Sequence, residues 1–156
     1  MEIERKFLIP DVYVKELFER DAERLEIEQY YVTVGTTEER YRRVNGDCFF
    51  AVKRDTGSSL SRLETETPCG GNDFEKNLPE KKGRIIQKER HILRYENLKI
   101  EMDFYKGEPY MIRRSRGYAP LPFMKKFLPP YFFGKEITGD ARYRNRNLAL
   151  NGLPDT

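Results

Sequence analysis

The chain has 156 residues, 35% of them charged and 38% hydrophobic, a length that suits one ordinary domain. Its 29 Lys and Arg against 26 Asp and Glu leave +3 with the single His neutral, without the basic excess of a dedicated nucleic-acid binder. No apolar run approaches the roughly 20 residues that cross a bilayer, and one His with two Cys gives hydrolase triads little to work with.

The N-terminus, Met1-Glu2-Ile3-Glu4-Arg5-Lys6, is acidic where a secretory signal is basic and then apolar. Cys48 and Cys69 lack zinc-ligand spacing, so the expected compartment is the cytoplasm, with both thiols reduced and inert. Abundant Tyr, Phe, Ile and Val in a polar chain fit β structure with one wet face. Strands are predicted near 1–8, 26–34, 38–44, 48–54, 60–67, 84–95, 98–105 and 110–118, divided by turns such as Asn45-Gly46 and Lys106-Gly107. A helix is predicted over about 11–24, with Asp11 near its start and Val14, Leu17 and Phe18 as its apolar stripe. A shorter helix is expected near 72–78. A last one is expected to follow Thr138 as its cap and run to Leu150.

Residues two apart on a strand share a face, and the charges repeat at that spacing. Glu2, Glu4 and Lys6 align on the first strand, and Arg40 and Arg42 on the third; the Asn45-Gly46 hairpin then returns a strand carrying Lys53. Arg62, Glu64 and Glu66 align on the fifth, Lys88 and Arg90 on the sixth, and Glu101 and Asp103 on the seventh. Ile3, Phe7, Leu63, Ile100, Met102 and Phe104 occupy the opposite faces and are expected to pack. Any single pair suits the wet face of an ordinary sheet. Together, six carboxylates and seven cations turned to one enclosed side would be costly if dry and unpaired. They suit a wet barrel interior completed by a metal ion and a polyanion. Carboxylate oxygens are the ligands Mg²⁺ and Mn²⁺ prefer, and Arg and Lys clamp phosphoryl oxygens.

The same residues carry a resemblance. Glu2-Ile3-Glu4-Arg5-Lys6 is similar to the E-x-E-x-K signature of CYTH proteins, the triphosphate tunnel metalloenzymes. The likeness continues through Arg40-Tyr41-Arg42, Lys53, Arg62-Leu63-Glu64-Thr65-Glu66, Lys88-Glu89-Arg90 and Glu101-Met102-Asp103. It ends with Gly134-Lys135-Glu136-Ile137-Thr138 and Tyr143-Arg144-Asn145, close to short bacterial members, and covers residues 1 to about 150 as one domain before a short tail. The family fold it implies is an eight-stranded antiparallel barrel, closed around a tunnel, with a few flanking helices. The resemblance implies that Lys6, Arg40, Arg42, Lys53 and Arg90 bind triphosphate, with Arg62, Lys88 and Lys135 as further cationic candidates. Glu2, Glu4, Glu64 and Glu66 become the candidates for orienting the attacking water. Glu2, Glu4, Glu66, Glu101 and Asp103 are the candidate ligands of Mg²⁺ or Mn²⁺.

One stretch departs from the family pattern. A further acidic pair falls, by counting back from Phe127-Leu128-Pro129-Pro130, on Ser115 and Gly117, and the eighth strand is expected to bring either those two or Arg114 and Arg116 to the tunnel wall, without carboxylates in both cases. The reading is a metal-dependent triphosphatase, with inorganic triphosphate the expected substrate and no nucleic-acid or membrane partner. A non-hydrolytic polyphosphate or nucleotide binder, an adenylyl cyclase and a thiamine triphosphatase are the alternatives. A homodimer stays open. His91 is expected on the strand face away from the charges, and Tyr131-Phe132-Phe133 as packing at a barrel end.

Overall fold

The structure is a computed structural model that describes residues 4–55, 62–96, 98–107, 111–120 and 129–152, with backbone alone for 4, 55, 62, 63, 98, 107 and 111–120. Eight strands dominate: β1 (Glu4–Leu8), β2 (Glu23–Thr33), β3 (Thr37–Val44), β4 (Asp47–Asp55), β5 (Arg62–Pro68), β6 (Lys82–Tyr95), β7 (Leu98–Gly107) and β8 (Met111–Pro120). Three helices accompany them, α1 (Asp11–Glu19), α2 (Asp73–Lys76) and α3 (Asn145–Asn151). The hydrogen-bonded order is β1-β8-β7-β6-β2-β3-β4-β5, and the assigned pairs are antiparallel. The described pairings leave β1 and β5 as the ends of that order. The chain divides into two compact units, residues 1–25 with 88–140 and residues 26–87 with 141–156.

In the first unit α1 supplies the lid of the core. Leu17 is fully buried with Ile9, Leu93, Ile100, Met102, Phe104 and Phe132, and Tyr13, Val14 and Phe18 pack beside it. The apolar stripe of α1 is therefore the expected one, although the helix ends at Glu19. His91 lies on this apolar side, its ring 4.7 Å from that of Phe104 and 5.0 Å from that of Phe18. Burial pushes its pKa below the ordinary imidazole value. Phe132 is buried in the same cluster as expected, whereas Tyr131 is exposed and donates its hydroxyl to Glu16. Of the predicted packing residues, Phe7 is buried as well, and the side chains of Ile3 and Leu63 fall outside the described residues.

The second unit folds around the Asn45-Gly46 turn. Both residues take positive φ, 47° and 90°, which suits a tight hairpin whose twist matches the flanking strands. The β3–β4 register that follows runs unbroken from Thr37↔Arg54 to Val44↔Asp47. Tyr30, Cys48 and Phe74 form the small core, and the Tyr30 hydroxyl donates to the Phe74 carbonyl at 2.5 Å. Burial pushes the Tyr30 phenol up to about 12.

Two expectations need correction here. The β4–β5 register carries Cys48 opposite Cys69, and their Cα atoms stand 5.3 Å apart in a disulfide rather than as separate thiols. Thr138 caps no helix: α3 begins at Asn145 behind Arg144, and the Thr138 hydroxyl accepts the Lys6 N–H and donates to Glu136. Residues 134–138 instead run along β1, with backbone bonds from Leu8 N to the Lys135 carbonyl and from Ile137 N to the Lys6 carbonyl.

Candidate functional site

Each unit turns one charged strand face away from its core. In the second unit, cross-strand pairing sets the arrangement directly. Arg40 faces Ala51 and Arg42 faces Phe49, while across β4 Ala51 faces Glu66 and Lys53 faces Glu64. Directly paired residues share a face, so Arg40, Arg42, Lys53, Glu64 and Glu66 come together as the spacing predicts. Arg62 shares their parity on β5. Arg42 Nη2 donates to Glu66 Oε1 at 2.7 Å. Arg40 Nη2 lies 3.5 Å from Glu64 and 3.8 Å from Glu66. Glu66 is thus the firmly held carboxylate, and Glu64 is the looser and more exposed one.

This face keeps polar atoms that the protein itself does not satisfy. Among the described residues, Arg40 Nε, Arg42 Nε and Gln29 Nε2 are buried without a hydrogen-bond partner. Gln29 pairs directly with Arg42 in the β2–β3 register, so all three donors belong to one face. A buried donor left unpaired costs about 1–3 kcal/mol. Three on one face leave hydrogen-bonding capacity there that the protein itself does not use. Gln29 was not legible as a candidate, because an uncharged residue between Glu28 and Tyr30 shows its face only through the hairpin register.

The first unit answers its charges internally. Asp103 is fully buried and accepts from Lys88 Nζ at 2.8 Å, from Arg90 Nε at 2.7 Å and from Arg90 Nη2 at 2.9 Å. Arg90 also reaches Glu101 at 3.4 Å, and the Lys88 ammonium stands 5.5 Å from the centre of the Tyr105 ring. Lys88 is almost as buried as Asp103. An aspartate with both oxygens taken by cations serves as the anchor of an ion-pair network. Lys6 reaches the same face by register, since Lys6 and Glu101 both pair with Tyr118.

The departing stretch also resolves. Asp103 pairs with Arg116 and Glu101 with Tyr118, whereas Ser115 and Gly117 pair with Phe104 and Met102 of the core. By register, positions 116 and 118 therefore share the parity of the charged side, the alternative with Arg114 and Arg116 rather than the one with Ser115 and Gly117. Neither is acidic.

Other candidates take structural places or fall outside the description. Glu2 and the side chains of Glu4 and Arg62 lie outside the described residues. Glu136 accepts a two-pronged bond from Arg5, at 2.8 and 2.6 Å, which with Thr138 holds its carboxyl down to about 2. Lys135 contributes its carbonyl to β1. Among the described residues no group of three or more His, Cys, Asp or Glu is disposed to hold a metal. The donors instead fit the way Mg²⁺ binds beside a phosphorylated substrate, through one or two carboxylates, waters and phosphate oxygens. Glu64 and Glu66, two apart on β5, place two carboxylates on the face of Arg40 and Arg42.

A mainly antiparallel β protein with paired Arg–Glu rungs and unsatisfied donors on one face carries the kind of groups that hold polyanionic phosphate. The comparisons define it further. The chain is 32% identical over 155 residues to the inorganic triphosphatase of Nitrosomonas europaea, covering 96% of this chain and 97% of that one. It is 31% identical over 153 residues to the inorganic triphosphatase of Acetivibrio thermocellus, covering 96% and 94%. The crystal structure of the inorganic triphosphatase NE1496 superposes with a TM-score of 0.73 at 27% identity, over 99% of this chain and 97% of that one. A putative adenylate cyclase from Bacillus halodurans shares the fold at 14% identity, with a TM-score of 0.58 over 79% of this chain and 81% of that one. No family model matches the chain. At this identity and coverage the chain belongs to the inorganic triphosphatase family.

Proposed function

We infer that the protein is an enzyme that hydrolyses inorganic triphosphate, working as a single domain over about residues 1–150 in the cytoplasm. The observation that carries this reading is the set of buried, unpaired donors on Gln29, Arg40 and Arg42. The closed barrel that the resemblance implies, with its charged faces turned inward, belongs to the same proposal. No helix among the described residues is long and apolar enough to cross a membrane. A cytoplasmic setting would make the Cys48–Cys69 crosslink an exception among proteins of that compartment.

Phosphoryl transfer asks little covalent chemistry of a protein and a great deal of positioning and charge stabilisation. Arg40 and Arg42 would grip phosphoryl oxygens through their forks, each guanidinium keeping its hold on Glu66 or Glu64. Gln29 would donate from the same wall. Glu64, the looser carboxylate, would accept a hydrogen bond from the attacking water and orient it. A Mg²⁺ or Mn²⁺ ion bound by Glu64 and Glu66 would neutralise and polarise the phosphoryl oxygens. In the first unit, Asp103 holds Lys88 and Arg90 in place.

The test is phosphate release from a panel of inorganic, nucleoside and thiamine triphosphates with Mg²⁺, Mn²⁺ or EDTA. The reading expects turnover of inorganic triphosphate that EDTA abolishes. Triphosphate binding without phosphate release in any metal would sink it in favour of a binding protein.

A further inference from the structure

The Cys48–Cys69 crosslink lies behind the Arg40/Arg42 face. The β4–β5 register puts Ala51 and Glu66 on the charged side, so Cys48, three residues before Ala51, falls on the other. There Cys48 is 5% exposed and packs with Tyr30 and Phe74, and the partly buried Cys69 joins the same cluster. Both cysteines belong to the second unit. Their bond closes 21 residues of sequence and ties the end of β5 to the start of β4.

The end of β5 depends on that tie. In the described pairings β5 bonds to β4 alone, as the last strand of the order. Pro68, opposite Phe49, has no N–H to give the ladder, and the bond that closes it runs from the Cys69 N–H to the Cys48 carbonyl at 3.0 Å. Glu66 stands three residues before Cys69, about 10 Å along the strand. It accepts from Arg42 at 2.7 Å and lies 3.8 Å from Arg40. The crosslink therefore fixes the strand end from which the Arg42 fork is held.

One of the two sulfurs is open to attack. Gly70 and Gly71, next to Cys69, are exposed, and a Cβ on Gly71 would meet nothing within 4 Å. Cys48 is shielded by the aromatic cluster. Crosslinks in cytoplasmic proteins are mostly transient, catalytic or redox-sensing. This pair faces away from the charged side, which leaves it no part in phosphoryl transfer.

We propose that the Cys48–Cys69 bond is a redox switch on triphosphate binding. Formed, it holds the end of β5 and the Glu66–Arg42 rung in place. Broken by a dithiol reductant, it lets that end loosen and weakens the grip. A thiolate of the dithiol attacks Cys69 Sγ and Cys48 Sγ leaves; the second thiol of the reductant then displaces Cys69. The protein gains two electrons and two protons as a pair of thiols, and the dithiol becomes a disulfide. The proposal rests on the triphosphatase reading for its ligand and adds a regulation of that site.

Thiol labelling of the denatured protein reports the bond. Calorimetric titration with inorganic triphosphate in EDTA then compares the air-oxidised protein with protein held in dithiothreitol. The oxidised form should show no free thiol and bind about tenfold more tightly than the reduced form, the effect of one charge-assisted hydrogen bond. Far-UV circular dichroism should be the same for both. Cys69→Ser should bind like the reduced protein and ignore dithiothreitol, and Cys69→Ala repeats that test without a hydroxyl. Two free thiols in the air-oxidised protein, Kd values within twofold of each other, or loss of the fold on reduction would each overturn the switch. So would a dithiothreitol response that survives both substitutions. Redox-dependent binding by a protein that releases no phosphate with Mg²⁺ would overturn the catalytic reading and leave the switch standing.

Discussion

Asp103→Asn removes the charge at the most buried ionised position described while keeping its shape. The carboxylate is inaccessible to solvent, the Lys88 side chain is 2% exposed, and three charge-assisted bonds join Asp103 to Lys88 and Arg90. An asparagine can accept from one of these cations but must turn an N–H toward the others. Breaking a buried pair from one side costs about 3–5 kcal/mol, because the remaining charge stays buried without compensation. For a chain of this length that is a fall in Tm of roughly 6–20 °C. Differential scanning calorimetry reads it directly, and urea unfolding supplies the free energy independently. A compensated variant, Lys88→Met/Asp103→Leu, should recover most of the loss, since well-packed apolar replacements for a buried pair are often neutral. An Asp103→Asn protein within about 1 kcal/mol of the native one would refute the network. So would a native protein stabilised by Mg²⁺ alone through a response that Asp103→Asn abolishes, because Asp103 would then be a metal ligand.

Glu66→Gln should raise the Mg²⁺ concentration needed for half-maximal phosphate release, while Arg42→Ala should act mainly on KM; a metal titration with each variant separates the two. Gln29→Leu removes an unpaired donor, so it should leave Tm unchanged or raised and increase KM for triphosphate about tenfold, read by steady-state kinetics. Stability should fall on acidification in two stages. His91 is held below its ordinary pKa, so the unfolded chain takes up its proton first and stability declines as pH drops below about 6.5. Glu136, held down to about 2, supports the fold above about pH 4.5 and loses that contribution between there and 2. The Arg5–Glu136 pair is partly exposed and contributes only about 0.2–1 kcal/mol. His91→Phe and Glu136→Gln should flatten the upper and lower stages respectively in calorimetry across pH.

The charged face of the second unit was readable because β3, β4 and β5 are regular and joined by unambiguous chemistry. Asn45-Gly46 sets the hairpin, and i, i+2 parity then carries Arg40, Arg42, Lys53, Glu64 and Glu66 to one side. The apolar stripe of α1 was readable for the same reason, a clean period. Depth was not readable. Nothing in Lys88-Glu89-Arg90 distinguishes a buried lysine from a partly buried arginine, since that depends on Tyr105 and Asp103 across β7. The β8 alternation needed the β7–β8 register, because the sequence left Arg114 with Arg116 and Ser115 with Gly117 as equal alternatives for the charged side. The Cys48–Cys69 pairing needs the β4–β5 register, which spacing alone does not supply.

The central claim is that inorganic triphosphate is held and hydrolysed on the face where Arg40 and Arg42 keep unpaired Nε–H donors. Arg40→Lys/Arg42→Lys retains both charges and removes both forks. Phosphate release from inorganic triphosphate with Mg²⁺, measured for the native protein and this variant, tests the claim most directly. The account predicts native turnover and a kcat/KM lower by about 100-fold in the variant, two charge-assisted bonds lost at roughly tenfold each. A variant with kcat/KM within twofold of the native value would contradict it.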